Sequence, residues 1–275
     1  MARVLLFKCQ EIYFQSVKKN SILNTVEVKK MRKQMAMVVF MAFVAASGSA
    51  WATVILPGSE TPLQTILNNI TVGGTSSVNV NNDQVAPDGR WMVTGTGNAS
   101  ATMIIEIAGN AAINTFGVYN GSNFATLFTG PAVQGDRASL YVFSNGDIGV
   151  FQQFSGTYTT YSGFLTGNNF GFFMMSNGNT WFSEDARNSD QGDHMVSFQG
   201  TGDMVQLPSG YSGSWTPNEY ILAWEDLNLS GSDRDYNDMV AMVESVQPVP
   251  EPGTMVLLGS GLVGLAAYGR KRFRK

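Results

Sequence analysis

The sequence predicts an all-β protein, an antiparallel sandwich or jelly-roll-like domain framed by an N-terminal signal peptide and a short C-terminal transmembrane helix. Three observations carry that reading. Between Thr53 and Val246 the apolar residues come in short runs, with almost no sustained helical periodicity. Turn formers such as Asn120-Gly121, Asn145-Gly146 and Asn177-Gly178 cut those runs at short intervals. The ends also differ in kind from the middle: of 17 basic residues, eight lie in 1–33 and five in 270–275. Only Arg90, Arg137, Arg187 and Arg234 remain between them.

Taken in order, residues 1–30 read as an over-extended gene start, with a real cytoplasmic extension as the alternative, because Met31 is a good initiator placed just before an export signal. Met31-Arg32-Lys33 leads into the apolar run 35–46, and Ala50-Trp51-Ala52 supplies the small-x-small pattern of signal peptidase. The signal peptide is thus 31–52, with the mature chain expected to begin at Thr53. The one helix candidate is 61–70, where Leu63, Ile66, Leu67 and Ile70 share a face behind Pro62. Strands are expected at 90–94, 101–107, 115–119, 139–143, 171–175, 194–198, 220–227 and 239–246. Phe116, Tyr141, Phe143, Phe172, Phe173, Phe198 and Trp224 are expected in the core. Residues 120–170 alternate Gly, Thr, Ser and Tyr loosely, a pattern that fits strands or long surface loops.

The middle is strongly acidic. Residues 53–250 hold 18 carboxylates against four arginines, a net charge of -14. Such a surface repels nucleic acid and attracts cations. The single cysteine, Cys9, lies upstream of the signal peptide, so the mature domain has no thiol chemistry. His194 is the only histidine. A catalytic triad or zinc site usually needs more, and we expect a protein that is not an enzyme. His194 reads as a hydrogen-bonding residue near the calcium loop expected at 225–238, with Asp193 as its partner or as an extra ligand. Glu184, Asp185 and Asp190 form a weaker cation-loop candidate. Trp181, Trp215, Tyr158 and Tyr161, if exposed, would suit sugar stacking.

The densest polar stretch is 225–238, between two apolar strands. Asp233, Asp235 and Asn237 alternate there, so a turning backbone can aim successive oxygens at one point. Hard oxygen donors of this kind suit Ca²⁺, with Asp226 and Asp238 completing the shell and Glu225 at its margin. An EF-hand is excluded, because Asp238 stands where its sixth-position glycine belongs and the flanks are strands. The alternative is a solvated acidic turn.

The tail has three parts: Pro248-Val249-Pro250-Glu251-Pro252-Gly253, an uncharged run 254–269, and a basic cluster 270–275. It resembles the PEP-CTERM sorting signal of Gram-negative bacteria, with Pro250, Glu251 and Pro252 as its motif. That resemblance implies recognition by an exosortase-type membrane protease and transient insertion in the inner membrane. The destination it implies is the cell surface or an extracellular, exopolysaccharide-rich biofilm matrix. The stretch 219–244, with Trp224-Glu225-Asp226, Gly231 and Asp233-Arg234-Asp235-Tyr236-Asn237-Asp238, is similar to the hallmark of the DUF4114 family. This implies a secreted, β-rich, calcium-binding domain over 53–246, followed by the sorting signal 247–275. The function expected is that of a structural or adhesive protein, with a carbohydrate-binding module as the alternative and a polysaccharide hydrolase behind it.

Overall fold

Four apolar side chains decide the first element, helix α1 (Leu63–Ile70): Leu63, Ile66, Leu67 and Ile70 are all buried. Pro62 precedes it, its φ of -57° already suited to a helix start. The computed structural model describes residues 52–94, 98–106, 112–130, 132–154, 157–250 and 259–261. The extension 1–30, the signal peptide up to Trp51, and Glu251 and Pro252 of the sorting motif lie outside the described residues. Residues 259–261 are helical. No helix among the described residues is long and apolar enough to cross a membrane.

The rest is antiparallel β-structure. The short strand β1 (Trp91–Val93) precedes β2 (Asn98–Glu106), and β3 (Thr115–Asn120) turns through Gly121 into β4 (Asn123–Thr129). Next come β5 (Arg137–Val142), β6 (Ile148–Phe154) and β7 (Thr157–Leu165), a meander in one sheet. β8 (Gly171–Ser176) and β9 (Asn179–Phe182) form a hairpin whose turn places Asn177 at φ 46° and Gly178 at φ 79°. Two consecutive left-handed residues are what a type I′ turn requires, which explains Asn-Gly there. After β10 (Met195–Gln199), the pair β11 (Met204–Gln206) and β12 (Ser212–Ser214) leads to β13 (Glu219–Trp224). β14 (Met239–Glu244) and β15 (Val246–Pro248) finish the domain.

One sheet has seven strands in the order β10-β13-β14-β2-β5-β6-β7, and the other has four, β4-β3-β8-β9. Their inner faces share one apolar core that includes Phe116, Val118, Leu127, Leu140, Ile148, Phe172, Leu222 and Trp224. This is the expected sandwich. Residues 120–170 prove to be strands β4 to β7 in large part. Tyr141 and Phe143, expected in the core, are instead 44% and 37% exposed, because they leave β5 on its open face and at its end.

The seven-stranded sheet has a second covered face at one end. Ile221, Ala223, Val240 and Met242 alternate with the sandwich-core residues of β13 and β14 and pack under α1, together with Phe198, Val205 and Trp215. That burial on both faces explains why β13 and β14 read as unbroken apolar runs. Each of the four helix side chains stabilises this layer by about 1.5–3 kcal/mol. The consequence for the site is direct: the loop joining β13 to β14 is held by strands that cannot shift.

Candidate metal centre

Trp224 pairs with Met239, so residues 225–238 form the loop that closes the β13–β14 hairpin. Glu225 continues the ladder: its N–H donates to the His194 carbonyl (3.1 Å), and His194 Nδ1 contacts the Glu225 carbonyl (3.1 Å). The imidazole is buried and stacks on Trp181, with centroids 3.9 Å apart and planes at 8°. Trp181 Nε1 donates to the Asp226 carbonyl at 2.7 Å. Two aromatic groups therefore fix the backbone at Glu225 and Asp226. His194 Nε2 meets the Asp190 carboxylate at 3.1 Å, so Asp190 and not Asp193 is its partner. Asp190 also accepts from the N–H groups of Gly192 and Leu229, which ties down the outer part of the loop.

Farther along, Arg234 (φ 59°) and Tyr236 (φ 54°) adopt left-handed backbone on either side of Asp235. Non-glycine residues pay on the order of 1–3 kcal/mol for this and need surroundings that enforce it. Tyr236 is one such restraint, since its buried ring carries a hydroxyl that donates to the Asp193 carbonyl at 2.5 Å. The N-terminal segment is the other. Leu56 N–H donates to the Arg234 carbonyl (2.9 Å), and Asn237 Nδ2 donates to the Thr61 carbonyl (3.0 Å) and to Asp235 Oδ2 (2.7 Å). Gly58 lies so close that a Cβ there would sit 1.9 Å from Asp235 Oδ2 and 2.7 Å from Asp233 Oδ2.

All six residues singled out from the sequence meet here. Oxygens of Glu225, Asp226 and Asp238 lie within 4.8 Å of one another, and so do those of Glu225, Asp233 and Asp235. Glu225, placed at the margin by its position in the sequence, is the residue shared by both groups. It is 1% exposed, and burial followed by the charge of Asp238 pushes its carboxyl up to about 9. Burial, then the charge of Asp226, also raises Asp238, whose Oδ2 accepts from Asp226 N–H at 2.7 Å. Burial and neighbouring Asp233 raise Asp235. Burial and mutual repulsion thus disfavour the charged forms of Glu225, Asp235 and Asp238 when no cation is present.

Among the described residues, four buried side-chain polar atoms have no hydrogen-bond partner: Asn114 Oδ1, Glu225 Oε2, Asn237 Oδ1 and Trp224 Nε1. All three oxygens belong to this site, since Asn114 Nδ2 donates to Asp226 Oδ2 at 3.2 Å. Each orphaned acceptor costs about 1–3 kcal/mol. Buried acceptors with no donor, beside carboxylates that resist ionising, are what a hard cation would satisfy. The residues present fit Ca²⁺.

Sequence reasoning missed Gly58, Thr61, Asn114 and Ser176, the last of which donates its hydroxyl to Asp226 at 3.2 Å. Other expectations need correction. Glu184, expected in a second cation loop with Asp185 and Asp190, pairs with Arg90 at 3.4 Å and accepts from the Tyr119 hydroxyl at 2.5 Å. Trp181 and Trp215 are buried, so neither is a sugar platform. The side chains of Tyr158 and Tyr161 lie outside the described ones. Pro250 is exposed just beyond β15.

The fold and the loop define an antiparallel β-protein with an acidic, partly buried hairpin loop. Residues 164–246 match the domain of unknown function DUF4114, and residues 248–272 match the PEP-CTERM protein-sorting motif. The sorting motif marks an exported, exosortase-sorted protein, and its β-domain contains a segment similar to DUF4114. The matched segment is not a separate unit, because β14 pairs with β2 far upstream and both lie in the compact unit Ala50–Glu251. Among curated proteins none matches. Two solved structures show slight similarity. Scytalido-glutamic peptidase with a peptide-based transition state analogue has 12% identity and a TM-score of 0.21, covering 56% of this chain and 96% of that one. The heptameric SAP-like pentraxin from Limulus polyphemus has 10% identity and a TM-score of 0.13, covering 59% and 70%. Neither likeness is close enough to support an argument about fold or function.

Proposed function

We propose that the exported domain is a calcium-stabilised structural or adhesive module of the cell surface or exopolysaccharide matrix. The observation that carries this reading is the buried Glu225 carboxylate, with Oε2 unpartnered, set among Asp226, Asp233, Asp235 and Asp238. Calcium is abundant outside cells, so an extracellular site can be as weak as roughly 0.1–1 mM and still be filled. By drawing the loop together, the ion would hold the Thr53-to-Thr61 segment against the β13–β14 hairpin and brace one end of the sandwich. The chain's part is to supply hard oxygens and to exclude water from them. The sorting tail delivers the domain to the side of the membrane where the ion is found.

The test is thermal unfolding of the full chain in detergent, stripped with EGTA and then returned to Ca²⁺ or Mg²⁺. Calcium at 100 times Kd adds about 2.7 kcal/mol. For a domain of this size that is a rise on the order of 5–10 °C in Tm. Magnesium, which demands a tighter octahedron, should do less. Identical curves with and without calcium would leave the loop as a solvated acidic turn.

A further inference from the structure

Building on the calcium reading, we infer that the loop holds two divalent cations that share the Glu225 carboxylate. An ion bound at 2.3–2.6 Å can touch oxygens no more than about 5 Å apart. The oxygens here fall into two groups of that size, Glu225 with Asp226 and Asp238, and Glu225 with Asp233 and Asp235. The four aspartates do not combine into a single group. Two ions, one at each group, would engage every one of these carboxylates where it stands.

Each group has its own unpartnered neutral oxygen. Asn237 Oδ1, fully buried, belongs to the side chain that donates to Asp235. Asn114 Oδ1, 2% exposed, belongs to the side chain that donates to Asp226. Between the groups stands Glu225, whose Oε2 has no partner. A carboxylate in that position gives one oxygen to each ion. Charge points the same way. Five carboxylates meet here, and the guanidinium of Arg234 is directed at the Leu229 carbonyl (3.1 Å). Fully ionised, the five carry five negative charges, of which one dication offsets two and a pair of dications four. The ligands separate accordingly: Asp233 and Asp235 hold the outer ion beneath Gly58, Asp226 and Asp238 hold the inner ion beside β8, and Asn237 and Asn114 can each add Oδ1 once the amide turns over.

The experiment counts ions. The full chain in detergent, stripped with EGTA, is titrated with Ca²⁺ alone and followed by calorimetry and equilibrium dialysis. The expected result is two ions per chain. Asp226→Asn and Asp235→Asn, which keep side-chain volume, should each reduce the count to one, and Glu225→Gln should weaken both ions about tenfold or more. A count of one in the wild type overturns the shared pair and leaves the calcium reading standing. A count of zero overturns both. Should a variant fail to fold, the wild-type count decides by itself.

Discussion

Two loops of the seven-stranded sheet join neighbouring antiparallel strands through aspartates, and their carboxylates face opposite surroundings. In the β5–β6 turn Asp147 is satisfied by donors: Asn145 Nδ2 at 2.6 Å and Gly167 N–H at 2.9 Å. In the β13–β14 loop carboxylates gather, and two buried acceptors, Glu225 Oε2 and Asn237 Oδ1, have no donor. The flanking strands differ in the same sense. β5 alternates between buried and open positions, while β13 is buried at every residue. An aspartate becomes a candidate ligand when it is gathered with other carboxylates above a sheet that is covered on both faces. Acidity alone does not achieve this.

The largest expected effect tests the mounting of the loop. Ile221→Ala opens a cavity under α1 and should cost about 2–5 kcal/mol in equilibrium urea unfolding with calcium present. Tyr141→Ala on the open face of β5 should cost less than about 1 kcal/mol. Equal losses would erase the contrast between the two ends of the sheet.

Next in size is Gly58→Ala. The added methyl would collide with the Asp233 and Asp235 carboxylates, which must then move apart. Calcium affinity should fall about tenfold, while stability in EGTA changes by less than about 1 kcal/mol. Unchanged affinity would show that the N-terminal segment does not shape the site.

Gly58 also marks how far the sequence could be read. The loop residues were legible because they are local: 225–238 are consecutive, and alternation of Asp233, Asp235 and Asn237 is visible by eye. The helix and the two-faced strands were legible through periodicity and unbroken apolar runs. Partners from distant segments were not. Asn237 and Thr61 are 176 residues apart, and Asn114 and Asp226 are 112 apart, so nothing in their local pattern pairs them. The middle strands were obscured for another reason. The β6–β7 pairing shifts register at Val150/Phe151 and Phe151/Gln152, and each shift breaks the period of two on which a strand reading depends.

A smaller effect, in pH, separates the loop from the acidic pair behind it. Desolvation and then the charge of Asp185 push Asp193 up to about 7, and desolvation and then Asp193 raise Asp88. Unfolded aspartates ionise near ~3.9. Between these values the native state binds more protons than the unfolded state, so stability falls as pH rises. The contribution is fully present below about pH 4 and lost once the pH passes about 7. In saturating calcium, Tm should drop by a few degrees from pH 5 to pH 8, and Asp193→Asn should flatten that slope. A wild-type profile with no slope in calcium would place all the pH sensitivity in the loop.

The smallest effect is expected at Asp147, and it tests the comparison most directly. Asp147→Asn keeps one acceptor oxygen but turns an NH₂ group toward either Asn145 Nδ2 or Gly167 N–H, both of them donors. Losing one of two hydrogen bonds in a partly exposed turn should cost about 0.5–1.5 kcal/mol. The rise in Tm that calcium produces should nevertheless match the wild type within about 1 °C, because Asp147 belongs to no cluster of carboxylates among the described residues. Asp235→Asn, the same chemical change in the other loop, should remove much of that rise. If both substitutions diminish the calcium response equally, the response comes from the general acidity of the domain. The covered faces of β13 and β14 would then have no part in it.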